Sequence, residues 1–215
     1  MGESSLFLTR ILDVLLDGGD QIAFAHRGRS MTYRETFDTL RRLHATLKSE
    51  GIVPGQLVAI TGGNTPETIL LQFASQLLGA RVVHVDGART DLLELLEVDH
   101  VLSTDSGGPL VTSRVPRGAR RDEDVALPRT VETMFSGDGR NLVCYRDLYE
   151  EIARTTRPNP AGPQRVLLIA PLSHPVGNKL TCKALLAGDT VVLHERSTDT
   201  GAFAAANLVG EAELR

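Results

Sequence analysis

Three stretches of this 215-residue chain combine glycine with polar side chains at spacings that suit chemistry: Thr61 to Glu67 (TGGNTPE), Ser136 to Arg140 (SGDGR) and Pro171 to Asn178 (PLSHPVGN). In the first, Gly62-Gly63 precedes Pro66 at the start of an apolar run, which either leaves backbone N–H groups free for an anion or makes a plain turn. In the second, Gly137 and Gly139 flank Asp138, so a tight loop could cradle an anion. Asp138 itself would repel a phosphate unless a metal came between them, and Arg140 offsets that only in part. In the third, His174 is followed by Asn178 and Cys182 at four-residue steps along one helical face. Eight residues of helix separate His174 from Cys182 by about two turns, beyond direct hydrogen-bond reach, which argues against a Cys–His nucleophile. His174 is the candidate catalytic or pocket-lining residue, with Gly177 and Asn178 as companions in the pocket and helix capping as its other reading.

Other chemistries lack their signatures. GxSxG, HExxH and GxxxxGK[ST] do not occur, so hydrolase, zinc-protease and P-loop readings have no support. Cys144 and Cys182 stand far apart with no CxxC, giving neither a metal site nor a disulfide framework, and a reducing compartment is the simplest setting.

The elements that must position these stretches follow from hydrophobic period. Leu6, Ile11, Leu12, Leu15 and Leu16 share a helical face that Gly18-Gly19 closes. Ile22 to His26 and Ser30 to Thr32 read as a hairpin around Arg27-Gly28-Arg29. Thr32 with Glu35 forms a capping box for a helix whose stripe is Phe37, Leu40, Leu43 and Leu47. Strand and helix then alternate. Strands are expected at Leu57 to Ile60, Arg81 to Val85, His100 to Ser103, Thr130 to Phe135, Val166 to Ala170 and Thr190 to Leu193. Helices are expected at Pro66 to Leu78, around Leu92 to Leu96, and at Arg146 to Thr156, Gly177 to Leu186 and Ala202 to Val209. Such alternation predicts an α/β protein with a mainly parallel sheet flanked by helices on both faces. Residues 1–215 read as a single domain, with a mobile loop at about 104–129 that holds a short hairpin near Leu110 to Thr112.

Composition narrows the partners. A formal charge of -4 gives no general attraction to nucleic acid. The one basic cluster, Arg114, Arg117, Arg120 and Arg121, runs into Asp122, Glu123 and Asp124 and reads as a solvated loop. The N-terminus lacks a basic n-region and an unbroken apolar core, and no apolar run is long enough to span a bilayer, so a cytoplasmic protein is expected.

Residues 31–86 (MTYRETFDTLRRLHATLKSEGIVPGQLVAITGGNTPETILLQFASQLLGARVVHVD) resemble the opening of acyl-CoA synthetases and nonribosomal-peptide adenylation domains. Thr32-Tyr33, Gly51, Pro54-Gly55, Val58-Ala59-Ile60, Asn64, Pro66-Glu67 and Gly79-Ala80 match that pattern. PLSHPVGNKLTCKALLAGDTVVLHE resembles a later segment of the same family, which borders the acyl pocket. The resemblance implies the N-terminal portion of an AMP-dependent synthetase or ligase.

It also marks departures. The family's phosphate loop, TSGTTGxPKG, corresponds here to FSGDGRNL, in which Ser136, Gly137, Gly139 and Arg140 remain while the threonine pair and the lysine are gone. Counterparts of the YGxTE segment, the ribose-binding Asp and the C-terminal domain with its catalytic lysine are not found, as in a truncated relative. Each lost donor or cation typically costs about 100- to 1,000-fold in rate. ATP or AMP binding is therefore expected to be weak or absent, and ligase turnover by this chain alone is not expected. What remains is a pseudoenzyme or accessory protein that holds an acyl or aryl carboxylate, a thioester or a carrier-bound intermediate in small-molecule biosynthesis. Two alternatives stand beside it. One is a homo-oligomer or partner-binding protein that completes a split ligase; the other is a biosynthetic enzyme of another class that uses His174 with Lys179 or Cys182.

Overall fold

The computed structural model describes residues 5–85, 98–104, 111–114, 133–136, 142–145 and 147–194. The chain opens with α1 (Leu6–Asp17), which Ser5 caps by accepting from the Leu8 N–H, and whose buried face is Phe7, Leu8, Ile11 and Leu15. Leu6 and Leu16, expected in that stripe, are instead exposed, because Phe7 and Leu8 take the inward positions. Next come β1 (Ile22–His26) and β2 (Arg29–Thr32), an antiparallel pair turned at Arg27 and Gly28, both at positive φ as a two-residue hairpin requires. The full capping box forms at the head of α2 (Tyr33–Ser49): Thr32 accepts from the Glu35 N–H, and Glu35 accepts from the Thr32 N–H.

The alternating region follows as β3 (Leu57–Thr61), α3 (Pro66–Leu77), β4 (Arg81–Val85), β5 (His100–Ser103) and β6 (Val111–Arg114). After it come β7 (Thr133–Ser136), β8 (Leu142–Tyr145), α4 (Asp147–Thr155), β9 (Arg165–Leu168), α5 (Pro175–Ala187) and β10 (Thr190–Leu193). Strand β8 is absent from the sequence reading, which runs from a strand through a glycine turn directly into a helix. Strand β6, in the region read as a loop with a short hairpin, pairs antiparallel with β5. The helices expected near 92–96 and 202–209, and most of the loop at 104–129, lie outside the described residues, as do Arg117, Arg120 and Arg121.

Parallel pairing dominates, but the strands divide between two sheets rather than joining one. The first has the order β2-β1-β10-β9, with β10 parallel to both β1 and β9. The second has the order β6-β5-β3-β4-β7-β8, parallel from β5 through β7 and antiparallel at both edges. The helices pack between them: α3 lies on β3 and β4, α5 on β9 and β10, and α1 joins α2, α3, α4 and α5. One apolar cluster therefore runs from Phe24 and Val191 of the first sheet, through Phe7, Leu40, Phe73, Tyr149 and Leu185, to Val58 and Val82 of the second. The other side of the second sheet is buried as well, around Leu57, Ala59, Val83 and Val85. The layers bring the carboxyl ends of β3 and β5 and those of β9 and β10 to a common region, where ligands of open parallel sheets bind. Among the described residues, no helix is long and apolar enough to cross a membrane.

Candidate functional site

At the end of β3 the chain turns through Gly62 and Gly63. A methyl group at Gly62 would stand 2.0 Å from Thr104 Oγ1, so only glycine lets the turn approach the end of β5. Thr65 caps α3 by accepting from the Thr68 N–H. The Thr68 hydroxyl donates to the Gly63 carbonyl at 2.8 Å and lies 2.9 Å from the Thr104 hydroxyl. These hydroxyls are engaged with one another and with the backbone, which favours the turn reading over an anion site.

Asn64, in the same turn, reaches across to the first sheet. Its Nδ2 donates to the carbonyls of Ala170 (3.2 Å) and His194 (3.1 Å), and its Oδ1 accepts from the Leu172 N–H (2.8 Å). One side chain thus fastens the exit of β3 to the exits of both β9 and β10.

His174 stands at the N-terminus of α5. Its Nδ1 accepts from the Val176 N–H at 3.2 Å, which places the ring proton of the neutral form on Nε2. The ring is exposed, so the capping role and an accessible rim position coexist. Gly177 is buried for steric reasons: a methyl group there would lie 2.2 Å from the Pro171 carbonyl oxygen and 2.7 Å from that of Ala170. Lys179, on the same helix, is exposed.

Asn178 points inward to a buried polar cluster built from three helices and a strand. Its Oδ1 accepts from the Tyr149 hydroxyl at 2.7 Å, and its Nδ2 donates to Gln72 Oε1 at 2.7 Å and to the Leu172 carbonyl at 3.3 Å. Gln72 Oε1 also lies 2.7 Å from His84 Nε2, and the Cys182 thiol donates to Asn178 Oδ1 at 3.7 Å. Burial pushes the His84 imidazole down to a pKa of about 3 and raises the Cys182 thiol well above its usual range. His84 is therefore neutral and Cys182 protonated at any ordinary pH. A buried neutral thiol with its proton already directed at an amide is a poor nucleophile. The geometry gives Asn178 a structural task, holding α5 against α3 and α4.

Of the glycine-rich stretch at 136–140, Ser136 is the last residue of β7 and pairs with Leu142 of β8. Gly137, Asp138, Gly139 and Arg140 lie outside the described residues. Sequence reasoning missed Gln72, His84 and Tyr149, since polar residues in apolar periods carry no signal of mutual contact. It registered Asn64 only as a pattern match.

A family model described as AMP-binding enzyme matches residues 16–103. Feruloyl-CoA synthases of Amycolatopsis sp and Streptomyces sp are each 28% identical over 214 residues, covering 86% of this chain and 43% of their own length. The N-terminal subdomain of Klebsiella oxytoca NpsA, solved with 3-hydroxyanthranilyl-AMSN, superposes with a TM-score of 0.71 at 21% identity, over 96% of this chain and 57% of that one. Escherichia coli MenE, with an analogue of OSB-AMS, gives 0.64 at 22% identity, over 87% and 45%. Over residues 16–103 the chain resembles the AMP-binding, adenylate-forming superfamily. The fold is that of the N-terminal subdomain of its adenylation enzymes, and the chain spans less than half the length of the curated relatives it matches. Within the superfamily pattern, Asn64, Pro66-Glu67 and the Pro171-Leu172-Ser173-His174 segment stand close together in space, as the sequence order alone does not reveal.

Proposed function

We propose that this chain is a member of the adenylate-forming superfamily that binds an acyl or aryl carboxylate, free or as a thioester or carrier-bound intermediate, at the carboxyl ends of its strands beside His174, and does not itself perform ordinary ATP-dependent ligation. The observation that carries the reading is the Asn64 bridge, which draws the exits of β3, β9 and β10 together and leaves His174 exposed at their rim. The names of the relatives support an aromatic acid: feruloyl in the two synthases, and hydroxyanthranilyl and hydroxybenzoyl in ligands of NpsA. The second half of the reading rests on the SGDGR stretch, which lacks the lysine and the paired threonines of the superfamily's phosphate loop.

A thermal-shift screen of the full chain with ferulate, 3-hydroxybenzoate, anthranilate and acetate tests this. The aromatic acids are expected to raise the melting temperature in a saturable way and acetate is not. His174→Ala is expected to weaken the effect without lowering the ligand-free melting temperature by more than the loss of one cap. A screen in which no acid shifts the transition at millimolar concentration removes the proposal.

A partner-binding role is the second reading, and one feature favours it. Among the described residues β9 ends its sheet, and Leu167 and Ile169, 58% and 44% exposed, stand on the side facing away from the core. An open edge with outward apolar side chains is a template for another chain. Sedimentation at micromolar concentration that shows only monomer, with Leu167→Lys causing no change in mass or solubility, would dismiss it.

A further inference from the structure

Asn64 is 7% exposed and lies between β3 and α3, yet its amide bonds to neither of them. Its partners are the Ala170 and His194 carbonyls and the Leu172 N–H, all more than 100 positions away in the chain. Two acceptors and one donor converge on one point. A primary amide is the compact neutral group that donates twice and accepts at once. Aspartate would lose both donors, and an aliphatic residue would leave the buried Leu172 N–H and the Ala170 and His194 carbonyls without this partner.

The segment that Asn64 holds is the one that carries His174. Leu172 is gripped from both sides: its N–H donates to Asn64, while its carbonyl accepts from Asn178 of the buried cluster. Two residues on, the His174 N–H donates to the Pro171 carbonyl at 3.0 Å, and its ring caps α5. From Asn64 to the imidazole the path is thus short and hydrogen-bonded at each step. The bond to the His194 carbonyl ties the exit of β10 into the same point.

We propose that Asn64 is a positioning residue for the Ala170–His174 segment and, through it, for the carboxylate ligand of the site. The ligand part rests on the proposed function above; the positioning part does not. Asn64 acts through the backbone it holds and makes no contact with a reacting group.

The test uses the full chain with ¹³C-labelled histidine and ¹⁵N-labelled backbone, followed by two-dimensional NMR. Asn64→Ala is expected to move the His174 ring signals and the Leu172 amide, while the His84 ring, reached only through Leu172 and Asn178, moves much less. Asn64→Asp separates positioning from general damage. Its carboxylate still accepts from Leu172 but faces the Ala170 and His194 carbonyls, so at neutral pH it should behave like the alanine variant. Once protonated at acid pH, it can donate to one of those carbonyls. The His174 signals should then return toward those of wild type at the same pH. His174 signals that do not move in Asn64→Ala overturn the proposal. So does a His84 shift as large as that of His174, because it reports loosening of the whole core.

In a parallel titration with 3-hydroxybenzoate, Asn64→Ala should bind about tenfold more weakly, the scale of one or two misplaced hydrogen bonds. Wild-type protein that binds no aromatic acid sinks the ligand part, while the histidine spectra still decide whether Asn64 positions the segment.

Discussion

Gly177 and Asn178 are neighbours on α5 with opposite reasons for being what they are. At Gly177 a methyl group would meet the backbone carbonyl of Pro171 at 2.2 Å, and backbone cannot swing aside as a flexible side chain can. Gly177→Ala should therefore destabilise the fold by about 1–3 kcal/mol despite alanine's better helix propensity. Lys183→Ala, on the exposed side of the same helix, should stay within about 0.5 kcal/mol. Urea unfolding of the two variants checks both. Both residues were legible in the sequence as unusual, standing directly after a strand-to-helix junction. Why they are needed was not: the Ala170 and Pro171 carbonyls that crowd Gly177, and the Gln72 and Tyr149 groups that hold Asn178, come from other elements. Of the two sequence readings of His174, the geometry shows the helix cap, and the pocket role belongs to the proposed function.

Elements were legible where their signals were local. The capping box of Thr32 and Glu35, the positive-φ turn at Arg27-Gly28 and the Pro66 start of α3 each depend on residues within four positions of one another. The box makes its own prediction. Thr32→Ala removes the acceptor for the Glu35 N–H and should lower stability by about 1 kcal/mol, with Thr32→Ser recovering most of it, as read from chemical denaturation. Strand β8 was not legible. Leu142 to Tyr145 is only four residues long, and what makes it a strand is pairing with β7. Likewise, Tyr33 opens α2 in sequence, but its hydroxyl donates to the Asp189 carbonyl at 2.7 Å and to that of Leu185 at 3.2 Å, locking α2 to the α5–β10 turn. Burial, and then the nearby Asp189 charge, raise the phenol's pKa, so the donor stays protonated.

Across the whole molecule, the division into two sheets escaped sequence reading altogether. β1 pairs with β10, which arrives near the end of the described chain, and an apolar period does not state which sheet a strand will join. The helical layer between the sheets encloses His84, and its burial makes stability depend on pH. The folded-state pKa of about 3 lies below the ordinary 6.5, so between those values the unfolded chain binds the extra proton and stability falls as pH falls. Lowering pH from 7 to 5 should cost about 2 kcal/mol from this group. His84→Gln keeps an amide near Gln72 and Asn178 without a titrating ring, and it should lose less over the same interval. Equal losses in both proteins would assign the pH dependence elsewhere.

We propose that a scaffold of the adenylate-forming type holds a carboxylate here without using ATP. Isothermal titration of the full chain with 3-hydroxybenzoate or ferulate, with and without magnesium and ATP, addresses it directly. Saturable binding with a Kd of about 0.1–1 mM, unchanged by the nucleotide and followed by no heat of turnover, is the predicted result. No binding in either condition, or binding that requires ATP and continues into turnover, would contradict it.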